Sequence, residues 1–150
     1  MWKSLLLFLL FQFSLFSFEA KVIGITDGDT IKVLTSENTQ IRIRLDGIDC
    51  PESKQDFGSK AKQFASDFCF GKTVRIEKTG EDRYGRTLGF VYVGDSCLNF
   101  ELLKAGLAWH YKQYNKDSKL AMMEDTARRK KIGVWSRADA EAPWEFRKRK

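Results

Sequence analysis

The sequence predicts an α+β domain built around a small β-barrel, and three observations carry that expectation. Short β-type runs, several of them alternating with period two, recur between turns over residues 22–45 and 73–93. One strongly helical stretch, residues 55–70, separates the two groups of strands. Glycine, aspartate and asparagine punctuate the strands at short intervals, while prolines occur only at Pro51 and Pro143.

Residues 22–26 are β-branched and apolar and form the first strand. Asp27-Gly28-Asp29 has the chemistry of a tight turn, and Ile31 and Val33, alternating with Lys32, form the returning strand of a hairpin. Ser36-Glu37-Asn38-Thr39 makes the next turn. In residues 41–45, Ile41, Ile43 and Leu45 share one face and Arg42 and Arg44 the other. Phe57, Ala61, Phe64, Ala65 and Phe68 recur at helical spacing through residues 55–70, and Gly71 ends that helix. Residues 73–79 return to period two with Val74 and Ile76 inward, and residues 87–93 form the fifth strand before the turn at Gly94-Asp95. Asn99 is placed to cap a short helix through Leu103 to Gly106. Asp117 or Ser118 caps a last helix running to Gly133, with Leu120, Met123 and Ala127 on its buried face and Arg128-Arg129-Lys130-Lys131 at its solvated end. Five short strands and three helices fit an OB-type barrel, whose usual ligand is an oligonucleotide.

The 150 residues allow one domain with a real core and hardly two. The formal charge of +6 favours polyanionic partners, nucleic acid or an anionic membrane surface, over neutral ones. Residues 1–20 stand apart: Lys3 precedes an apolar run rich in Leu and Phe that has the layout of a signal peptide or signal anchor. That run is short of the roughly 20 residues that span a bilayer comfortably, and Ala20 or Ser17 is the candidate cleavage position. The expected organisation is therefore a leader over residues 1–20, the barrel domain over 21–137, and a mobile basic tail over 138–150 ending in Arg147-Lys148-Arg149-Lys150. Export would place Cys50, Cys69 and Cys97 in an oxidising compartment, where one disulfide in any of three pairings could form. The single histidine, His110, and the lack of any CxxC pair argue against a zinc cluster.

Four segments carry chemistry: Asp27-Gly28-Asp29-Thr30, the pair Arg42 and Arg44, Asp49-Cys50-Pro51-Glu52, and Asp82-Arg83-Tyr84-Gly85-Arg86. Asp29 follows the first hairpin turn and Asp49 lies just past the arginine-bearing strand, so pairing of these strands can bring both carboxylates to one barrel mouth. Two carboxylates, a main-chain carbonyl and waters make a Ca²⁺ site, which takes about six to eight oxygens. Asp49-Cys50-Pro51-Glu52 on its own is a loop preceding a helix, with Glu52 near the helix start. Asp82-Arg83-Tyr84-Gly85-Arg86 on its own is a hairpin tip, with Gly85 supplying the unusual backbone angle. Each segment alone has an ordinary structural explanation. As a set they combine a hard-cation site with guanidinium forks that bind phosphate oxygens, the parts needed to hydrolyse a phosphodiester.

The ordered set, over roughly residues 22–136, resembles the staphylococcal nuclease-like (thermonuclease) family, with further echoes at Gly106-Leu107-Ala108 and Gly133-Val134-Trp135-Ser136. The resemblance implies that Asp29, Asp49 and the main-chain carbonyl of Cys50, where the family often has threonine, bind Ca²⁺. It implies that Glu52 orients or deprotonates the attacking water and that Arg44 and Arg86 clamp the reacting phosphate. Arg83, Tyr84 and Tyr111 are the implied substrate-binding residues; Trp109 is read as core and His110 as a surface or helix-capping group. The implied activity is an endonuclease that cuts DNA and RNA to leave 3′-phosphate ends; the leader-like run adds the expectation of an exported monomer, secreted, periplasmic or held at the membrane by a retained leader. The rival readings are a non-catalytic OB-fold nucleic-acid-binding module and a membrane-tethered interaction protein.

Overall fold

The computed structural model describes residues 16–149. The strands are β1 (Ser17–Asp27), β2 (Thr30–Thr35), β3 (Gln40–Leu45), β4 (Ile48–Asp49), β5 (Thr73–Glu81), β6 (Thr87–Val93), β7 (Ser96–Cys97) and β8 (Trp109–His110). The helices are α1 (Gly58–Cys69), α2 (Leu98–Lys104), α3 (Ser118–Lys130) and α4 (Pro143–Lys148), with a 3₁₀ turn at Gly133–Ser136. The main sheet runs β3-β2-β1-β5-β6-β7, and a parallel pairing of β3 with β6 closes its first five strands into a mixed barrel. The expected OB-type α+β barrel is therefore present, with one more helix than the residue pattern indicated.

Inward positions of the strands supply Val22, Ile31, Val33, Ile43, Leu45, Val74, Ile76 and Val91, all essentially buried. Helix α1 packs on the barrel through Ala61, Ala65 and Cys69, and α2 through Leu98, Leu102 and Leu103. At about 25 cal/mol per Å² of apolar surface removed from water, this cluster is the main favourable term in folding.

Several elements differ from expectation for local reasons. Helix α1 starts at Gly58, not near Gln55, because residues 52–57 form hydrogen-bonded turns: Gln55 N donates to the Glu52 carbonyl (2.8 Å) and Gly58 N to the Gln55 carbonyl (3.0 Å). Phe57 then takes a left-handed conformation, φ 68°, before the helix begins. Asn99 is not the cap of α2; Cys97 holds that position and Asn99 is inside the helix, wholly buried. Its side chain accepts from Val91 N (3.2 Å) and donates to the carbonyls of Asp46 (2.9 Å) and Gly89 (3.1 Å). It thus ties α2 to β6 and to the turn after β3. Asp117 does cap α3, accepting from Lys119 N at 2.9 Å. Helix α3 ends at Lys130, and its buried face carries Glu124 beside Leu120 and Ala127.

Both termini of the described chain are more structured than expected. The proposed leader falls on residues 1–20, of which 1–15 lie outside the described residues. Ser17 to Ala20 are the first residues of β1, paired with Glu77 to Val74 of β5. The supposed mobile tail contains α4, which opens with Pro143 at its first turn, where a proline costs no intrahelical bond. Among the described residues no helix is long and apolar enough to cross a membrane.

The three thiols are free and buried, so none of the disulfide pairings considered from sequence is formed. Burial pushes Cys69 up to about 12 and raises Cys50 and Cys97 as well. We expect all three to be silent to Ellman's reagent in the native protein and to titrate fully in denaturant; rapid native reaction of any one would contradict this packing. Replacing Asn99 with alanine removes its bonds to Val91 N and to the Asp46 and Gly89 carbonyls, of which Gly89 keeps the Asp46 N–H (2.9 Å). Denaturant unfolding should show a loss of about 3 kcal/mol, the scale for buried groups left unpaired.

Candidate active site

The short pairing of β4 with β8 sets Ile48 against His110 and Asp49 against Trp109. It folds the end of the arginine strand back under the barrel mouth. Arg44 is the centre of the resulting cluster, with its side chain only 12% exposed. One terminal nitrogen donates to the carbonyls of Leu45 (2.6 Å) and Ile48 (2.8 Å). The other lies 3.1 Å from Asp49 Oδ1 and 3.5 Å from Asp29 Oδ2. Arg42, on the same face of β3, is exposed and donates to the Tyr84 carbonyl at 2.8 Å. The alternation that placed both arginines off the core is correct, but only Arg44 is enclosed.

Asp29 is held from several sides. Its Oδ2 accepts from Cys50 N at 2.7 Å and its Oδ1 from the Thr30 hydroxyl at 3.2 Å. Burial opposes its ionisation, but Arg44, its hydrogen bonds and the neighbouring Asp27 together hold its pKa below the usual carboxylate range. Asp27 accepts from Asp29 N at 3.2 Å, an Asx-type turn bond. Burial, and then the charge of Asp29, push Asp27 to about 7. Asp49 is 2% exposed and is pushed to about 6 chiefly by burial, against the pull of Arg147 and Arg44.

Two glycines lock these loops together. A Cβ on Gly28 would press on Ala61 Cβ (2.8 Å) and on Cys50 (3.0 Å), so the first hairpin turn lies directly over the Cys50 side chain and α1. A Cβ on Gly58 would collide with the Glu52 carbonyl. Glu52 N is in turn held by the Gln55 side chain at 3.0 Å.

The hairpin tip that carries Arg83, Tyr84 and Arg86 reaches the site through the β3–β6 register. Ile43 pairs with Thr87 and Arg44 with Leu88, so Arg86 continues the face that Arg42 and Arg44 occupy. Asp82 organises the tip: it accepts from Tyr84 N (2.9 Å) and Arg86 N (3.0 Å), and pairs with Arg86 Nε at 2.7 Å. Tyr84 is 59% exposed, with Arg83 and Arg86 against its ring. The structure thus joins Asp29, Arg44, Asp49 and the Cys50 backbone in one cluster. Glu52 is linked to it through Arg147, and Arg86 sits on a neighbouring rim.

Arg147 falls within residues 138–150, where the residue pattern predicts a mobile basic tail. Instead it reaches Asp49 Oδ2 (2.8 Å), Glu52 Oε1 (2.9 Å) and the Tyr111 hydroxyl (3.4 Å). Trp144, one helical turn earlier, stacks on Tyr111 with ring centroids 5.5 Å apart and planes 8° from parallel. Pro143 at a helix start, followed by an aromatic and an arginine three positions apart, was the signal available for this docking. Trp109 is core, edge-on to Trp135 at 4.9 Å, as expected. His110 is not a surface group: it is 3% exposed, its backbone N–H donates to Glu124 Oε2 (2.6 Å), and its ring Nε2 lies 2.9 Å from Asn115 Oδ1.

The donor set suits a hard cation in kind, since Asp29 and Asp49 offer oxygen and converge on a single guanidinium nitrogen. Among the described residues no group of three or more His, Cys, Asp or Glu is arranged to hold a metal ion by itself, so carbonyl oxygen and water would have to complete any coordination sphere. Removing Arg44 would leave two buried carboxylates without their shared counter-charge. Arg44→Ala should cost about 3–5 kcal/mol of stability, and adding Asp49→Asn should restore part of that loss. A chemical-denaturation cycle over the four proteins checks the coupling, and strict additivity would refute it.

The model of the family described as staphylococcal nuclease homologue matches residues 42–137. An uncharacterised endonuclease of Haemophilus influenzae is 41% identical over 128 residues, covering 85% of this chain and 72% of its own. An uncharacterised endonuclease of Escherichia coli O157:H7 is 44% identical over 131 residues, 87% of this chain and 85% of its own. A micrococcal nuclease of Shigella flexneri is 42% identical over 142 residues, 87% of this chain and 81% of its own. The family match extends from the arginine strand through the 3₁₀ turn and takes in Arg44, Asp49, Glu52 and Arg86 but not Asp29 or Arg147, and the chain belongs to the staphylococcal nuclease homologue family.

Proposed function

We propose that this protein is a calcium-dependent endonuclease that hydrolyses phosphodiester bonds of DNA and RNA and leaves 3′-phosphate ends. Its relatives named endonuclease and micrococcal nuclease support the nuclease class. The observation that carries the finer reading is the gathering of Asp29, Asp49 and Arg44 at one buried locus, with Glu52 on its open side.

In this reading Asp29, Asp49 and the Cys50 carbonyl hold Ca²⁺, which when bound polarises a phosphate oxygen and positions water. Arg44 fixes the two carboxylates, since both its terminal nitrogens are committed to protein oxygens. Arg86, aimed by Asp82 and partly open to solvent, is the arginine better placed to meet charge that grows on the phosphoryl group during in-line attack. Glu52, about 30% exposed, has room to accept the proton of an attacking water. Tyr84 and Arg83 offer a ring and a charge to a flanking nucleotide, recognition that does not distinguish ribose from deoxyribose. Export, into the periplasm or the medium, belongs to the same proposal and rests on the apolar run after Lys3.

Digestion of plasmid DNA and of RNA with Ca²⁺, repeated with a chelator, tests the activity, and end-group analysis tests the 3′-phosphate. Glu52→Gln and Arg86→Ala should each lower turnover by on the order of 10²–10³ while remaining folded. Binding without cleavage would favour a non-catalytic barrel, and near-normal turnover in both variants would refute these roles.

A further inference from the structure

We infer that α4 is a self-occupying strap: Trp144 and Arg147 sit where substrate and metal must go, and α4 has to leave for the site to load. The inference rests on the calcium reading of Asp29 and Asp49. Arg147 places a guanidinium between Asp49 and Glu52, contacting Asp49 Oδ1 (3.3 Å) and Oδ2 (2.8 Å) and Glu52 Oε1 (2.9 Å). A fixed cation there satisfies the same carboxylate oxygens that a divalent ion would need. It also engages the carboxylate expected to activate water. The parallel stack of Trp144 on Tyr111 covers the ring proposed for substrate, as a base would. One six-residue helix therefore blocks both functions.

The strap is built to come away. Only Pro143 of α4 is buried, and a helix of this length has no stability of its own. The segment leading to it is tied down by polar links at the periphery: Arg137 to Asp56 (3.0 Å) and Gln55 Nε2 to the Glu141 carbonyl (2.5 Å). A cavity of about 240 Å³ lies between residues 54–57 and this C-terminal segment, so apolar packing beneath it is incomplete. Departure of α4 would leave the barrel core intact, because the core cluster contains none of its residues.

Binding of Ca²⁺ and docking of α4 are then mutually exclusive, and linkage makes the penalty reciprocal. Docking lowers the apparent affinity for Ca²⁺ by the fraction of molecules in the open state. For a partly exposed ion pair and one ring stack that factor is about three- to tenfold. Calorimetric titration of the full chain with Ca²⁺ should show Arg147→Ala binding about three- to tenfold more tightly than wild type. Trp144→Ala leaves every charge in place and should tighten binding by at least about twofold. Hydrogen exchange on the wild-type chain provides a readout that needs no variant: amides of residues 145–149 should lose protection when Ca²⁺ saturates. Equal Ca²⁺ affinity in wild type and both variants, or undiminished protection of α4 at saturation, would overturn the strap even if the enzyme is active. Wild type that neither binds Ca²⁺ nor digests DNA would instead overturn the calcium reading, and the strap with it.

Discussion

The arrangement depends on one buried charge. Arg44 is forced off the core by strand alternation and then enclosed by the loop that follows its own strand. A guanidinium so placed must find acceptors for its donors, and it recruits the carbonyls of Leu45 and Ile48, the Asp49 carboxylate five residues on, and the Asp29 carboxylate from the preceding hairpin. Asp29 and Asp49 would repel one another without it. With it, they share a neutralising partner, and the hairpin turn and the Asp49 loop acquire a fixed separation. The rest of the site is arranged around that pair. Cys50 N closes on Asp29, Gly28 lets the turn settle on Cys50, and Gly58 lets α1 abut the Glu52 carbonyl.

Much of this was legible in the residues because the strand signals are local. Residues 41–45 alternate without interruption and residues 87–93 are rich in β-branched and aromatic types, and β3 and β6 fall within one residue of those bounds. The acidic and basic segments were legible as a set because their chemistry is redundant only when taken singly. What alternation could not convey was depth: Arg42 and Arg44 share a face, yet one is exposed and the other enclosed, a difference made by the loop of residues 46–50. Asn99 was misread because its position near a helix start suits capping, whereas a buried gap between α2 and β6 recruits its amide into three tertiary bonds. His110 and Glu124 were similarly hidden. Their mutual contact spans 14 residues and follows from β8 packing against α3, which no local pattern records.

The C-terminal segment illustrates the same limit from the other side. Four consecutive basic residues at a chain end suggest a solvated tail, and on charge alone that is the lower-energy choice. The competing term is the unneutralised side of Asp49 and Glu52, which gives one of those four a specific partner. Lys148 and Arg149 meanwhile pair outward with Glu145 and Glu141. A run of like charges is therefore divided residue by residue according to what each helical position faces.

The parallel seam between β3 and β6 has a bearing on how the molecule matures. Its partners are more than 40 positions apart along the polymer, so it is among the slowest contacts to gain and depends on the intervening helix and hairpin being in place. Until it zips shut, the arginine of the β5–β6 tip is remote from the aspartates of the first hairpin. A nascent or partly unravelled chain consequently holds its reactive groups asunder. Closure of this seam is thus the event that draws the far hairpin alongside the strand bearing Arg44, and the topology makes that juxtaposition a late one.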